Sequence, residues 1–71
     1  MSANRVAKEI RKIIDDYWLG KLTIAQVRDG INHFMDDPQL HLKIQRGENF
    51  TGAFKSVMGK KRLEEFQRVM A

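Results

Sequence analysis

The sequence predicts an all-α fold, a compact bundle of four to five short helices at about 3–19, 24–36, 38–46, 51–58 and 60–70. Three observations predict it. Apolar residues recur at spacings of three and four along most of the chain, which places them on one face of a helix. Glycine, proline and capping residues fall between those stretches, where helices start and stop. Only one segment alternates like a strand, and a lone strand in a helical chain has nothing to pair with. Seventy-one residues with no repeats, linkers or low-complexity tracts read as one helical domain, 1–71. That length is close to the lower limit for a core that holds without help.

The first helix, about Ala3 to Leu19, is the clearest. Val6, Ile10, Ile13, Ile14 and Tyr17 follow the spacing of one buried face, and charged residues occupy the others. Ser2 is placed to cap it and Gly20 to leave it in the left-handed conformation. Its bases gather at the start and its acids, Asp15 and Asp16, at the end. That order opposes the helix dipole and hints that this face meets something.

The second helix opens on a strong signal. Thr23 caps, Gln26 reaches back to complete a capping box, and Leu22 and Val27 form a hydrophobic staple. Ile24, Val27, Ile31 and Phe34 then make a narrow seam. Gly30 within it costs about 1 kcal/mol of helix propensity, offset if another helix packs closely there. Asp37-Pro38 ends the helix, because the residue before proline is pushed out of helical geometry. The short Gly20–Leu22 link makes helices 1 and 2 an antiparallel hairpin.

Pro38 to Arg46 reads two ways. Asp37 as cap, Pro38 at the first position and Gly47 beyond the end favour a short helix, whereas Leu40, Leu42 and Ile44 alternate like a strand. The helix is the preferred reading. After the Gly47-Glu48-Asn49 turn, Phe50, Ala53, Phe54, Val57 and Met58 resume helical spacing. Gly59 interrupts, and Leu63, Phe66 and Met70 define the last helix from about Lys60.

Composition narrows the function. There is no cysteine, hence no disulfide framework and no thiolate metal site. No stretch has the ~18 apolar residues of a membrane span, and no signal-peptide core is present, so the expected compartment is the cytoplasm. The two histidines, His33 and His41, lack helical pairing or further converging ligands, and no metal site is expected. Asp15-Asp16 and Asp36-Asp37 are adjacent pairs that diverge on a helix and read as solvated helix ends. No nucleophile stands with a base and an orienting partner. A chain this small also has little room for a pocket of several hundred Å³. No catalytic residue, cofactor or small-molecule substrate is expected.

The net charge of +4 is unevenly placed. Residues 1–37 balance six bases against six acids, while residues 38–71 carry seven bases against Glu48, Glu64 and Glu65. The sharpest feature is Gly59-Lys60-Lys61-Arg62. A glycine entering a helix N-terminus leaves backbone N–H groups free for an anion. Three bases there repel one another and oppose the dipole, so an anionic partner would relieve them. Lys55 lies one turn back, and Lys43 and Arg46 could extend the patch. It fits nucleic-acid phosphates or an acidic protein surface, and equally a solvated turn screened by Glu64 and Glu65. It is not a P-loop, since Lys61 stands where Ser or Thr belongs. A helix-turn-helix reader built on helices 1 and 2 is disfavoured, because Gln26, Arg28 and Asp29 would give its outer face little net charge. Trp18 falls at the edge of the core stripe, either as a lid on the bundle or as an anchor in a protein interface.

Asp16-Tyr17-Trp18 and Phe50-Thr51-x-x-Phe54-Lys55-x-x-x-Gly59-Lys60-Lys61-Arg62-Leu63 together resemble a family of short uncharacterised proteins from Gram-positive bacteria. In that family a DYW-like segment precedes a variable middle and a (Y/F)T-x-x-(F/I)K-x-x-x-GK(K/R)RL stretch. The likeness runs from about Ile10 to Met70, with Asp36–Arg46 departing freely. It implies a bacterial cytoplasmic origin and carries over no functional residue, since the family has no assigned activity, substrate or cofactor.

The expected function is a non-enzymatic interaction module. It would bind a protein partner, or itself as a homodimer, through Trp18, Ile24, Ile31 and Phe34, with the basic turn docking an acidic surface. The alternative is nucleic-acid backbone binding through Lys55, Gly59, Lys60, Lys61 and Arg62.

Overall fold

The computed structural model describes residues 1–71. Helix α1 (Ala3–Trp18) starts where the Ser2 hydroxyl accepts the Arg5 N–H at 3.2 Å. It stops in a Schellman turn: Gly20, at φ +77°, donates to the Tyr17 carbonyl and Lys21 to that of Asp16. Helix α2 (Ile24–Met35) has the full capping box. The Gln26 N–H reaches the Thr23 hydroxyl at 3.2 Å, and the Thr23 N–H reaches the Gln26 amide oxygen at 2.8 Å. A Cβ on Gly30 would stand 3.1 Å from Ile13 Cδ1. The two helices therefore meet closely where Gly30 leaves room, which offsets its low helix propensity. Ile13 and Gly30 are also equidistant from the turn between their helices, as an antiparallel hairpin requires.

Helix α3 (Pro38–Ile44) is capped by the Asp37 carboxylate, which accepts the N–H groups of Gln39 and Leu40. The preferred helical reading of this segment is therefore right for 38–44, but the helix ends two residues early. Gln45–Arg46 (β1) pairs antiparallel with Asn49–Phe50 (β2), Gln45 opposite Phe50 and Arg46 opposite Asn49. Contrary to expectation, a strand here does have a partner, supplied by the residues just past the Gly47 turn. Gly47 alone takes a positive φ, +61°, at the first loop position, the pattern of a two-residue type II′ hairpin. Thr51 fastens this hairpin to its neighbours. Its N–H donates to the Ile44 carbonyl, its hydroxyl donates to that of Lys43, and the same hydroxyl accepts the Phe54 N–H.

Helix α4 (Gly52–Met70) is two helical segments, 52–58 and 60–70, meeting at Gly59 with φ +74° and ψ +170°. Only glycine adopts that conformation readily, so the chain turns there and resumes. Phe54 from the first segment and Phe66 from the second stack edge-on at 5.2 Å, and Phe50 closes the trio at 5.4 and 5.7 Å. The aromatic cluster fixes the bend from its inner side.

One core of twelve buried residues draws on every helix. It also takes up part of the α2 seam. Ile31 is fully buried and Phe34 is 8% exposed, so neither lies on a docking face, contrary to expectation. Helices α1 and α3 and the last segment of the chain cover that side, which is why the seam is apolar. Ile24, 42% exposed at the head of α2, is the member left outside. Ile31→Ala should lower the unfolding free energy by about 2–4 kcal/mol and Phe34→Ala by about 3–5 kcal/mol. Ile24→Ala should cost under about 1 kcal/mol. Urea titrations of the three variants, followed by far-ultraviolet circular dichroism, check this ranking.

Candidate functional site

The residues singled out by sequence meet where the end of α1 lies against the second segment of α4. Arg62 does not extend into solvent. Its Nε donates to Asp15 Oδ1 at 2.8 Å and its Nη2 to Asp15 Oδ2 at 3.3 Å, while Nη1 donates to the Met58 carbonyl at 3.3 Å. Arg11, one turn back on α1, approaches the same Asp15 carboxylate at 3.9 Å. The Arg62 guanidinium also stands 5.8 Å from the Trp18 ring centroid, within range of a cation–π contact.

Trp18 is held from a second side. Its indole N–H donates to Glu65 Oε1 at 2.7 Å, and Arg68 forms an ion pair with the same carboxylate, its Nε 2.8 Å from Glu65 Oε2. Glu65 is only 7% exposed; the Trp18 hydrogen bond and the Arg68 ion pair lie at its two oxygens. The pairs Asp15–Arg62 and Trp18–Glu65 share the same sequence offset of 47 residues. Each step along α1 is thus matched by an equal step along the last segment, and the two run in the same direction through the contact.

This arrangement explains the inverted charge order of α1. Its acidic end and the basic start of the last segment each oppose their own helix dipole, and Asp15 and Arg62 neutralise one another. Arg62 was expected to hold an external anion; instead its anion is internal. Glu65, read as a screen for the basic turn, supports Trp18 instead, while Glu64 stays exposed. Neither Asp15 nor Glu65 stood out as a site residue, although the acids at the wrong end of α1 were the signal for Asp15.

Lys55, Gly59, Lys60 and Lys61 are all exposed, and no ion pair engages the three lysines. Trp18 is 47% exposed despite its bonds. Beside it at the α1–α2 turn, Leu19 is 69% exposed, and Ile24 follows across the turn. His33 lies on the surface with its ring edge-on to Phe34, and His41 Nδ1 is 3.1 Å from the Met35 carbonyl. No three His, Asp or Glu side chains converge on a point that could hold a metal ion. The surface hollow along α1 is open and lined by Lys8, Arg11, Lys12, Asp15 and Asp16, with no apolar wall.

The family model CLB_0814_fam, described as a conserved hypothetical protein, matches residues 2–71. The chain belongs to that family. No match was found among curated proteins or among solved structures. The matched span contains α1 and both segments of α4, so both sides of the Asp15–Arg62 and Trp18–Glu65 contacts lie within it.

Glu65→Ala should cost about 1–2 kcal/mol, since it leaves the part-buried indole N–H without its acceptor. Glu65→Gln keeps one acceptor and should cost roughly half of that. Thermal and urea unfolding measure both. A double-mutant cycle on Asp15→Ala and Arg62→Ala should give a coupling of about 1 kcal/mol, the size expected of a partly exposed bidentate pair.

Proposed function

We propose that the protein is a non-enzymatic interaction module of the bacterial cytoplasm that docks a protein partner on the apolar end of the bundle at the α1–α2 turn. Trp18 is the anchor, with Leu19 and Ile24 beside it. The observation that carries this reading is the state of Trp18. Almost half of the side chain faces solvent, yet Glu65 holds its N–H and Arg62 lies over its ring. An exposed aromatic side chain already fixed in place loses little rotational freedom when a partner closes on it, and tryptophan is enriched among residues that dominate interface energies.

The non-enzymatic part of this reading rests on the composition of the chain, which has no cysteine and only two histidines. The hollow along α1 is open and lined by charged side chains alone, which suits a macromolecular contact better than an enclosed small substrate. A bacterial cytoplasmic setting is supported by the cysteine-free composition and by the likeness of the Asp16-Tyr17-Trp18 and Gly59-Lys60-Lys61-Arg62-Leu63 stretches to short Gram-positive proteins. No helix is long and apolar enough to cross a membrane.

The first partner to test is a second copy of the chain, because a core of this size gains stability from pairing. An apolar end of three large side chains makes a small interface, so sedimentation velocity should show association only between roughly 10 μM and 1 mM. Leu19→Ser combined with Ile24→Ser leaves the Trp18 bonds intact and should return the chain to a monomer across that range. A wild-type monomer at every concentration removes self-association. Capture of a host protein by wild type and not by the double variant then supports a foreign partner, and equal capture by both sinks the apolar end as the contact.

A further inference from the structure

Two groups of bases distant in the sequence are brought together by one carboxylate. Arg11 of α1 and Arg62 of the last segment both reach Asp15, at 3.9 and 2.8 Å. Lys8 and Lys12 share the open hollow of α1 with Arg11, and Lys60 and Lys61 immediately precede Arg62 at the Gly59 bend. All four of these lysines are exposed and none is ion-paired. Asp16 lines the same hollow with no ion pair of its own, and Glu9 is an exposed acid beside Lys8. Glu64 is an exposed acid one turn beyond Lys60.

We propose that this composite face, Lys8, Arg11 and Lys12 from α1 with Lys60 and Lys61 from the Gly59 bend, holds the phosphodiester backbone of a nucleic acid. The face has the charge of a backbone site and lacks the equipment for anything narrower. It is open, so one small phosphate would remain largely hydrated; several phosphates in a row can each meet a separate base. Its five residues are all Lys or Arg on an open surface with no groove-filling element among them, so their contacts are to phosphates and binding depends little on sequence. Asp15 anchors the two groups to each other and is already neutralised by doing so, which leaves Asp16 as the one unpaired carboxylate of the hollow against five bases. The five bases share no residue with the Trp18, Leu19 and Ile24 end, so separate variants test the two readings and either stands or falls without the other.

The test is fluorescence anisotropy with a labelled 20-base-pair DNA duplex and a labelled 20-nucleotide RNA strand, at 50 and 200 mM salt. Five phosphate contacts predict, for the duplex, a slope of log affinity on log salt of about −4.5, hence roughly a 500-fold loss over that range. Lys60→Ala with Lys61→Ala should make the slope shallower by about 2, and so should Lys8→Ala with Lys12→Ala. Leu19→Ser with Ile24→Ser should leave it unchanged. The probe bound more tightly names the form of nucleic acid. Absence of binding to both probes at 50 mM salt overturns the proposal. So does a Lys8/Lys12 variant that binds as wild type, because the face is then not composite. Equal competition by poly-glutamate at matched charge assigns the face to acidic protein instead and overturns it as well. These substitutions are exposed helix positions where alanine is well tolerated, and circular dichroism verifies that each variant is folded.

Discussion

The arrangement of the molecule depends on how the last helical segment is held against α1. The aromatic trio of Phe50, Phe54 and Phe66 supplies burial but little direction, since apolar contacts are tolerant of sliding. Direction comes from the bidentate Asp15–Arg62 pair and the Trp18–Glu65 hydrogen bond, one helical turn further on. Two polar contacts at a fixed offset admit a single register, because sliding either helix by one residue would leave a nearly buried carboxylate and an indole N–H without partners. In a core of twelve residues, where packing alone leaves several arrangements close in energy, such contacts select one.

Gly59 makes that register reachable. An unbroken helix from Gly52 to Met70 would carry Phe66 away from Phe54, and the bend folds the two segments back so that both face the same core. The bend also places Lys60 and Lys61 at an outward corner, while Arg62, one residue on, turns inward. The basic run is therefore divided by geometry between a structural arginine and two solvent-facing lysines. Treating it as one patch obscures that division.

The helices themselves were legible because their signals are local. Ser2, the Thr23–Gln26 box, Asp37-Pro38 and Gly59 each act within a few residues, and the spacing of Val6, Ile10 and Ile14 marks a buried face directly. The short hairpin at Gly47 was missed for the converse reason. A strand of two residues is too brief to show alternation, and the strand-like spacing lay upstream, within α3. For the candidate site, Trp18 and the exposure of Lys55, Lys60 and Lys61 follow from position on a helix. The burial of Ile31 and Phe34 and the inward turn of Arg62 depend on what packs across from them, which no local pattern encodes. Asp15 was the exception, since its unfavourable place at the end of α1 already implied a positive partner elsewhere.

The separation of 47 residues between the paired groups also bears on how the chain is made. Helix α1 leaves the ribosome before the last segment of α4, so its acidic end and its tryptophan wait for partners made 47 residues later. At synthesis rates of roughly 5–20 residues per second, that interval is about 2–9 seconds. During it the apolar face of α1 has only α2 and then α3 to cover it. The hairpin of α1 and α2, with its close contact at Gly30 and Ile13, thus shelters that face in the interval, and Arg62 and Glu65 act as the clasp that closes it.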